Sequence, residues 1–173
     1  MKLELPELKL VEAAAAALRA EVLALPRELF VALPSHEQYT GIWTAFLLRA
    51  GRWEHEYPGV DFAANRARCP QATALLEKLP AVNVAGFLRL EPGAELRPHQ
   101  DHREDQEVRV HLALQLPPEE AAYWPEGTAR LLDVRQPHAA RNPSDRPRLT
   151  FTMDLHVPFI VTPDMIPPWG PPA

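Results

Sequence analysis

Twenty prolines in 173 residues constrain this chain more than any other feature. Proline fixes φ at about −65° and has no N–H, so it neither continues a helix nor donates inside a sheet. A chain interrupted this often folds as short elements joined at rigid corners. Its length suits one domain with a real core, because a chain of this size buries about 70% of its unfolded surface. Hydrophobic residues make up 46% and charged residues 24%, which argues against disorder. Eighteen basic against 23 acidic residues leave a net charge of −5 with no basic stripe, so no nucleic-acid partner is expected. The lone Cys69 excludes an internal disulfide framework and a cysteine-based zinc cluster. No apolar run approaches about 18 residues and no signal-peptide pattern opens the chain. The expectation is therefore a soluble, cytoplasmic protein with no membrane partner.

The elements follow from the punctuation. Residues 8–25 read as a helix, with Pro6 in its first turn, an alanine run through Ala13 and Ala17, and Pro26 as its stop. Leu10, Ala14, Ala17, Leu18 and Val22 form its expected buried stripe. A short strand is expected around Phe30 and Val31, a buried strand over 41–48, a loop over 58–68 and a short helix over 70–79. From Val82 the texture changes to strands: 82–90, a Pro92-Gly93 turn, 95–98, 107–116, 128–134 and 148–157. Helices first and strands later predict an α+β, mainly β, fold with helices packed on one face of an antiparallel sheet or barrel. The last stretch, 158–173, holds six prolines and reads as a strap or a frayed tail.

Two strands alternate cleanly. Val108, Val110, Leu112 and Leu114 share one face, with Arg109 and His111 on the other. Leu149, Phe151 and Met153 oppose Arg148, Thr150, Thr152 and Asp154. Such a polar face is either wet or the lining of a concave interior, and the pattern alone leaves both open.

The histidines bear on that choice, since five of the seven lie in the strand-rich half. His99 and Asp101 are two residues apart, so in an extended segment they share a face and can meet one cation. His138, its approach fixed by Pro137, is the candidate third ligand. Two imidazoles and one carboxylate on one face of an octahedron form the facial triad of non-haem Fe(II) oxygenases. By itself an H-x-D pair is a weak signal.

The order of the surrounding segments says more. Leu90-Glu91-Pro92-Gly93-Ala94-Glu95-Leu96-Arg97-Pro98-His99-Gln100-Asp101, then Val108-Arg109-Val110-His111, Trp124-Pro125-Glu126-Gly127, Pro137-His138, Asn142-Pro143-Ser144 and Pro147-Arg148 follow in sequence. This series resembles the aspartyl/asparaginyl β-hydroxylase family of Fe(II)- and 2-oxoglutarate-dependent dioxygenases, which is related to bacterial proline hydroxylases. The resemblance implies a double-stranded β-helix, a cupin-like jelly roll, over 82–157. Residues 1–80 would be its helical support, 158–173 its tail, and 1–173 a single domain. It implies Fe(II) ligands at His99, Asp101 and His138, and Arg148 as the partner of the far carboxylate of 2-oxoglutarate. Arg109 and His111 match the family's R-x-H strand and are expected to help hold the cosubstrate.

Asn142 and Ser144 are expected turn-formers, Trp124 and Gly127 a hairpin marker and core anchor, and His102 and His156 solvated or structural. The implied activity is O₂-dependent hydroxylation of an sp³ carbon in a small molecule or peptide, an amino acid or a peptidyl Asp/Asn side chain. Trp43, Arg89 and Arg103 could reach a carboxylated substrate, though a structural or solvated role is the stronger expectation for each. A short connection from Leu116 to Trp124 replaces what in relatives is often a longer hairpin. The competing reading is a non-catalytic cupin-like module that binds a metal or small acid. A zinc hydrolase on the same ligands is a third reading, but no motif places a general base for it.

Overall fold

The fold is built around β-strands whose two faces meet different neighbours. The computed structural model describes residues 3–34 and 36–170. Its elements are α1 Glu7–Ala13, α2 Ala15–Ala24, β1 Val31–Ala32, β2 Tyr39–Thr40, β3 Trp43–Arg49, α3 Phe62–Arg68, α4 Pro70–Glu77, β4 Val82–Leu90, β5 Glu95–His99, β6 Glu107–Gln115, α5 Pro118–Ala121, β7 Ala129–Leu132, β8 His138–Arg141 and β9 Arg148–His156. The major sheet runs β1-β3-β4-β9-β6-β7 and the minor sheet β2-β5-β8, with every neighbouring pair antiparallel. From β4 onward the chain passes from major to minor sheet, back for β6 and β7, out to β8 and back for β9. That is the winding of a double-stranded β-helix. Between β6 and β7 the chain makes the four-residue α5.

The two faces of β9 show what holds the layers. Leu149, Phe151 and Met153 join Val108, Val110, Val11, Leu18, Val22 and Leu76 in one buried cluster, so α1, α2 and α4 cover the outer face of the major sheet. Arg148, Thr150, Thr152 and Asp154 are buried as well, at 6% exposure or less. The polar face is therefore an interior between the sheets and not a wet surface.

Two local expectations are corrected and a third is decided between its alternatives. The single helix over 8–25 breaks at Ala14, and the buried stripe starts at Val11, leaving Leu10 46% exposed. The expected loop over 58–68 contains α3, capped by the Asp61 carboxylate accepting from the Ala64 N–H at 2.9 Å. Beyond Val157 the chain is a strap. Val161 and Ile166 are buried and the Leu3 N–H donates to the Met165 carbonyl at 2.8 Å. The tail reading of residues 171–173 lies outside the described residues. Among the described residues, no helix is long and apolar enough to cross a membrane.

Candidate metal centre

Strand register makes the site. His99 ends β5 and His138 begins β8, and the two are direct cross-strand partners, so both rings leave the minor sheet on one side. Their ring centroids lie 4.2 Å apart. Asp101 follows past the strand end, where its N–H donates to the Val134 carbonyl at 2.8 Å. One nitrogen or oxygen from each of His99, Asp101 and His138 lies within 4.8 Å of the others. His99 Nε2 is 3.7 Å from Asp101 Oδ1, and His138 Nε2 is 4.0 Å from Asp101 Oδ2. Those separations are too long for hydrogen bonds. Donor atoms on one octahedral face around a cation at about 2.1 Å stand about 3.0 Å apart, so the 3.7 and 4.0 Å pairs each close by about an ångström or less on a metal.

The ring tautomers are set by the backbone. His99 Nδ1 meets the Arg97 carbonyl at 2.8 Å and His138 Nδ1 meets the Gln136 carbonyl at 3.0 Å. A carbonyl only accepts, so each Nδ1 carries the proton and each Nε2 keeps its lone pair for a ligand. Burial, together with the neighbouring His99 ring, holds the pKa of His138 below its ordinary value. It is therefore neutral at pH 7, as a metal ligand must be.

Behind Asp101 stands a charge network. Arg109 Nη1 donates to Asp101 Oδ2 at 3.1 Å, while its Nε and Nη2 donate to Asp154 at 2.7 and 2.9 Å. Arg103 Nε adds a third bond to Asp154 at 3.1 Å. Burial opposes the ionisation of Asp154, but Arg109 and Arg103 outweigh it and hold its pKa below the usual range. Burial likewise opposes the charge on Arg109, and the two carboxylates overcome it.

Two cavities meet at the triad. A tight inner chamber of about 50 Å³ is bounded by His99, Asp101, His138, His111 and Arg148, with Trp169 of the strap across it. A wider chamber of about 270 Å³, lined also by Trp53 and Tyr57, shares Trp43, Leu88, Asp101 and Arg109 with the first. His111 is buried, its Nδ1 meets no partner among the described residues, and Thr150 and Thr152 nearby leave their hydroxyls equally unmatched. Burial, Arg109 and Arg148 press its pKa well below the ordinary value. The interior thus presents neutral donors and acceptors, an arginine and three ligand atoms to whatever occupies it.

Residues 12–158 match the family model described as aspartyl/asparaginyl beta-hydroxylase. The chain belongs to this family. A curated relative, the ornithine lipid ester-linked acyl 2-hydroxylase of Rhizobium tropici, is 29% identical over 111 residues, covering 58% of this chain and 39% of that protein. The chain thus matches well under half the length of that relative. Among solved structures, a Pseudomonas putida prolyl-4-hydroxylase is 18% identical with a TM-score of 0.43, covering 88% of each chain. A predicted oxalate decarboxylase from Thermotoga maritima is 10% identical with a TM-score of 0.45, covering 74% of this chain and 92% of that one.

For this β-hydroxylase family member, the residues singled out in the sequence divide into groups. His99, Asp101 and His138 come together, with Arg148 and His111 around the adjoining inner chamber. Arg109, expected to help hold a cosubstrate, also lines that chamber, yet all three of its nitrogens donate to Asp154 and Asp101. His102 and His156 are exposed. Arg89 pairs with Glu91, away from the triad. Asn142 is more than a turn-former: at 1% exposure it donates to the Leu90 and Arg146 carbonyls at 2.9 and 2.7 Å and accepts from Ser144. It therefore ties β4 to the loop that delivers Arg148.

Sequence reasoning missed Glu120, Asp154 and Trp169. Asp154 carried a signal, since it sits on the polar face of an alternating strand. Glu120, in a Pro-Pro-Glu-Glu segment, reads as solvated. Yet its carboxylate takes Arg148 Nε and Nη2 at 2.6 and 2.7 Å.

Proposed function

We propose that this family member is an Fe(II)- and 2-oxoglutarate-dependent hydroxylase of an sp³ carbon. The observation that carries the reading is the meeting of two Nε2 lone pairs and one carboxylate at the junction of two chambers, with Arg148 at one of them. The donor set fits the metal: two imidazoles and a carboxylate on one side leave the opposite positions open. Fe(II) with 2-oxoglutarate and O₂ supplies the oxidation of C–H to C–OH, with succinate and CO₂ as co-products.

The chain's own residues bind and orient. His99 and His138, locked by their Nδ1–H bonds, aim Nε2 at the cation, and Arg109 steadies the Asp101 carboxylate from behind. Arg148 offers a distal carboxylate a charge-assisted, planar partner that a lysine would not reproduce. His111, neutral and unmatched, faces the space between, and Trp169 and the leucine walls exclude water from it.

The substrate enters from the wider chamber. The family name points to an amino acid or a peptidyl Asp/Asn side chain. One observation favours a second class. The walls of Leu33, Trp43, Leu47, Trp53 and Leu88 are apolar, and Arg103 there already serves Asp154 and the His102 carbonyl. An acyl chain, the group named in the Rhizobium tropici relative, suits those walls better than a zwitterion does.

The test is a panel. Iron-loaded protein is incubated with 2-oxoglutarate and free amino acids, Asp- and Asn-containing peptides, or acyl esters, and read for the mass gain of one oxygen together with succinate. Oxygen gain in one class identifies the substrate. Activity sustained by Zn(II) without 2-oxoglutarate would instead make the protein a hydrolase. Asp101→Ala abolishes turnover on this account; an unchanged rate of 2-oxoglutarate consumption would remove Asp101 from the ligand set.

A further inference from the structure

Arg148 is held from one side only. Its guanidinium has five N–H donors, and Glu120 takes two of them, one on Nε and one on Nη2. No acceptor among the described residues meets Nη1, and the pair formed by Nη1 and the second Nη2 hydrogen is an open fork. The two faces of this arginine see different spaces. Arg148 lines the inner chamber beside the triad, whereas Glu120 lines an adjoining outer cavity of about 470 Å³, which shares His138 and Trp169 with the chamber, and does not itself line the chamber. A carboxylate arriving from the metal side therefore meets the open fork without displacing Glu120.

Glu120 is also rigidly placed. The helix α5 starts at Pro117-Pro118, where φ is fixed, and the Glu120 N–H donates to the Pro117 carbonyl at 3.0 Å. The Trp124 N–H returns to the Glu120 carbonyl at 2.9 Å, and the Arg148 guanidinium lies over the Trp124 ring at 5.8 Å. The local charges balance. Arg103, Arg109 and Arg148 face Asp101, Asp154 and Glu120, so a dication and a dicarboxylate entering together leave the interior neutral.

We propose that Glu120 is a positioning residue for cosubstrate selection: it clamps the side edge of Arg148 so that the remaining edge faces the inner chamber and selects acids with a second carboxylate. The inference rests on the reading of the site as a 2-oxo-acid site. In it, the short α5 has a function of its own, since it supplies the clamp.

The test compares two ligands on Mn(II)-loaded protein by calorimetry. One is 2-oxoglutarate; the other is 2-oxobutanoate, which keeps the 2-oxo-acid end and lacks the distal carboxylate. Wild type binds 2-oxoglutarate more tightly. In Glu120→Gln, 2-oxoglutarate weakens about tenfold while 2-oxobutanoate and Mn(II) itself bind as before, so the preference between the acids collapses. A merely structural role would move both acids together. Glu120→Asp, which keeps the charge and shortens the reach, moves the preference the same way if the glutamine variant does not fold.

A preference that survives both substitutions overturns the proposal. So does tighter 2-oxoglutarate binding in Glu120→Gln, which would make Glu120 a competitor for the fork. Wild type that shows no preference between the two acids removes the 2-oxoglutarate reading itself, a failure visible before any variant is made.

Discussion

Arg109 and Arg148 are both largely buried and face the same interior from β6 and β9, neighbours in one sheet, and each is forked to a carboxylate. What separates them is the number of donors left over. All three nitrogens of Arg109 go to Asp154 and Asp101, so it acts as a post that holds the candidate ligand Asp101. Arg148 gives one edge to Glu120 and keeps the other for the chamber. The same side chain is a brace when its fork is closed by protein and a receptor when half of it is open.

The comparison breaks first, and hardest, at Arg109. Arg109→Ala leaves the buried Asp154 with Arg103 as its remaining partner, which costs about 3 kcal/mol, and it frees Asp101 to turn away from the histidines. Urea unfolding and metal titration should both register the loss. Arg148→Ala should be milder in stability, because Glu120 borders an open cavity, and should leave metal binding intact. Equal losses of stability and metal in the two variants would erase the distinction.

A smaller effect sharpens the Arg148 side. Asn142→Ala leaves the Leu90 and Arg146 carbonyls without their shared donor, at a cost of about 2 kcal/mol, and loosens the loop leading to Arg148. Cosubstrate affinity should fall while metal affinity holds. A matching fall in metal affinity would show that the loop supports both halves of the site.

The smallest effect is read in pH. His111 feels both arginines, Arg109 the more strongly, but burial is the largest cause of its depressed pKa. The unfolded ring takes a proton below about pH 6.5 while the folded ring stays neutral, so stability falls as pH drops through that point. His138 adds to the same slope in metal-free protein. Each ring contributes up to about 1.4 kcal/mol per pH unit until its folded pKa is reached. Asp154, whose pKa is also lowered, keeps its contribution until pH falls into the carboxylate range. His111→Asn should flatten the urea midpoint between pH 6.5 and 5; an unchanged slope would assign the effect to His138 alone.

Much of this was legible in the chain. Alternation in 107–116 and 148–157 marked the two central strands and the inward polar face, and the order of short segments around His99 and His138 pointed to the family. The strand β8 was hidden because His138-Ala139-Ala140-Arg141 is short and lies between prolines, so the cross-strand pairing of the two histidines could not be read. Helix α3 was hidden by its charged, alanine-containing run, which buries no residue and draws its start from the Asp61 cap. Glu120 was hidden for a general reason. A carboxylate on a short polar helix looks solvated until the fold brings a buried arginine from 28 residues away in sequence. The Pro117-Pro118 pair beside it now reads as a fixed mount for that carboxylate.

The account's central claim is that His99, Asp101 and His138 hold a metal to which a 2-oxo acid binds with its far end at Arg148. Anaerobic Fe(II)-loaded protein titrated with 2-oxoglutarate tests it directly through the visible charge-transfer absorption of that complex. The predicted result is a weak band in the green in wild type, lost in Asp101→Ala and shifted to higher 2-oxoglutarate concentrations in Arg148→Ala. Metal-loaded wild type that shows no band, and forms no succinate when air is admitted, would contradict it.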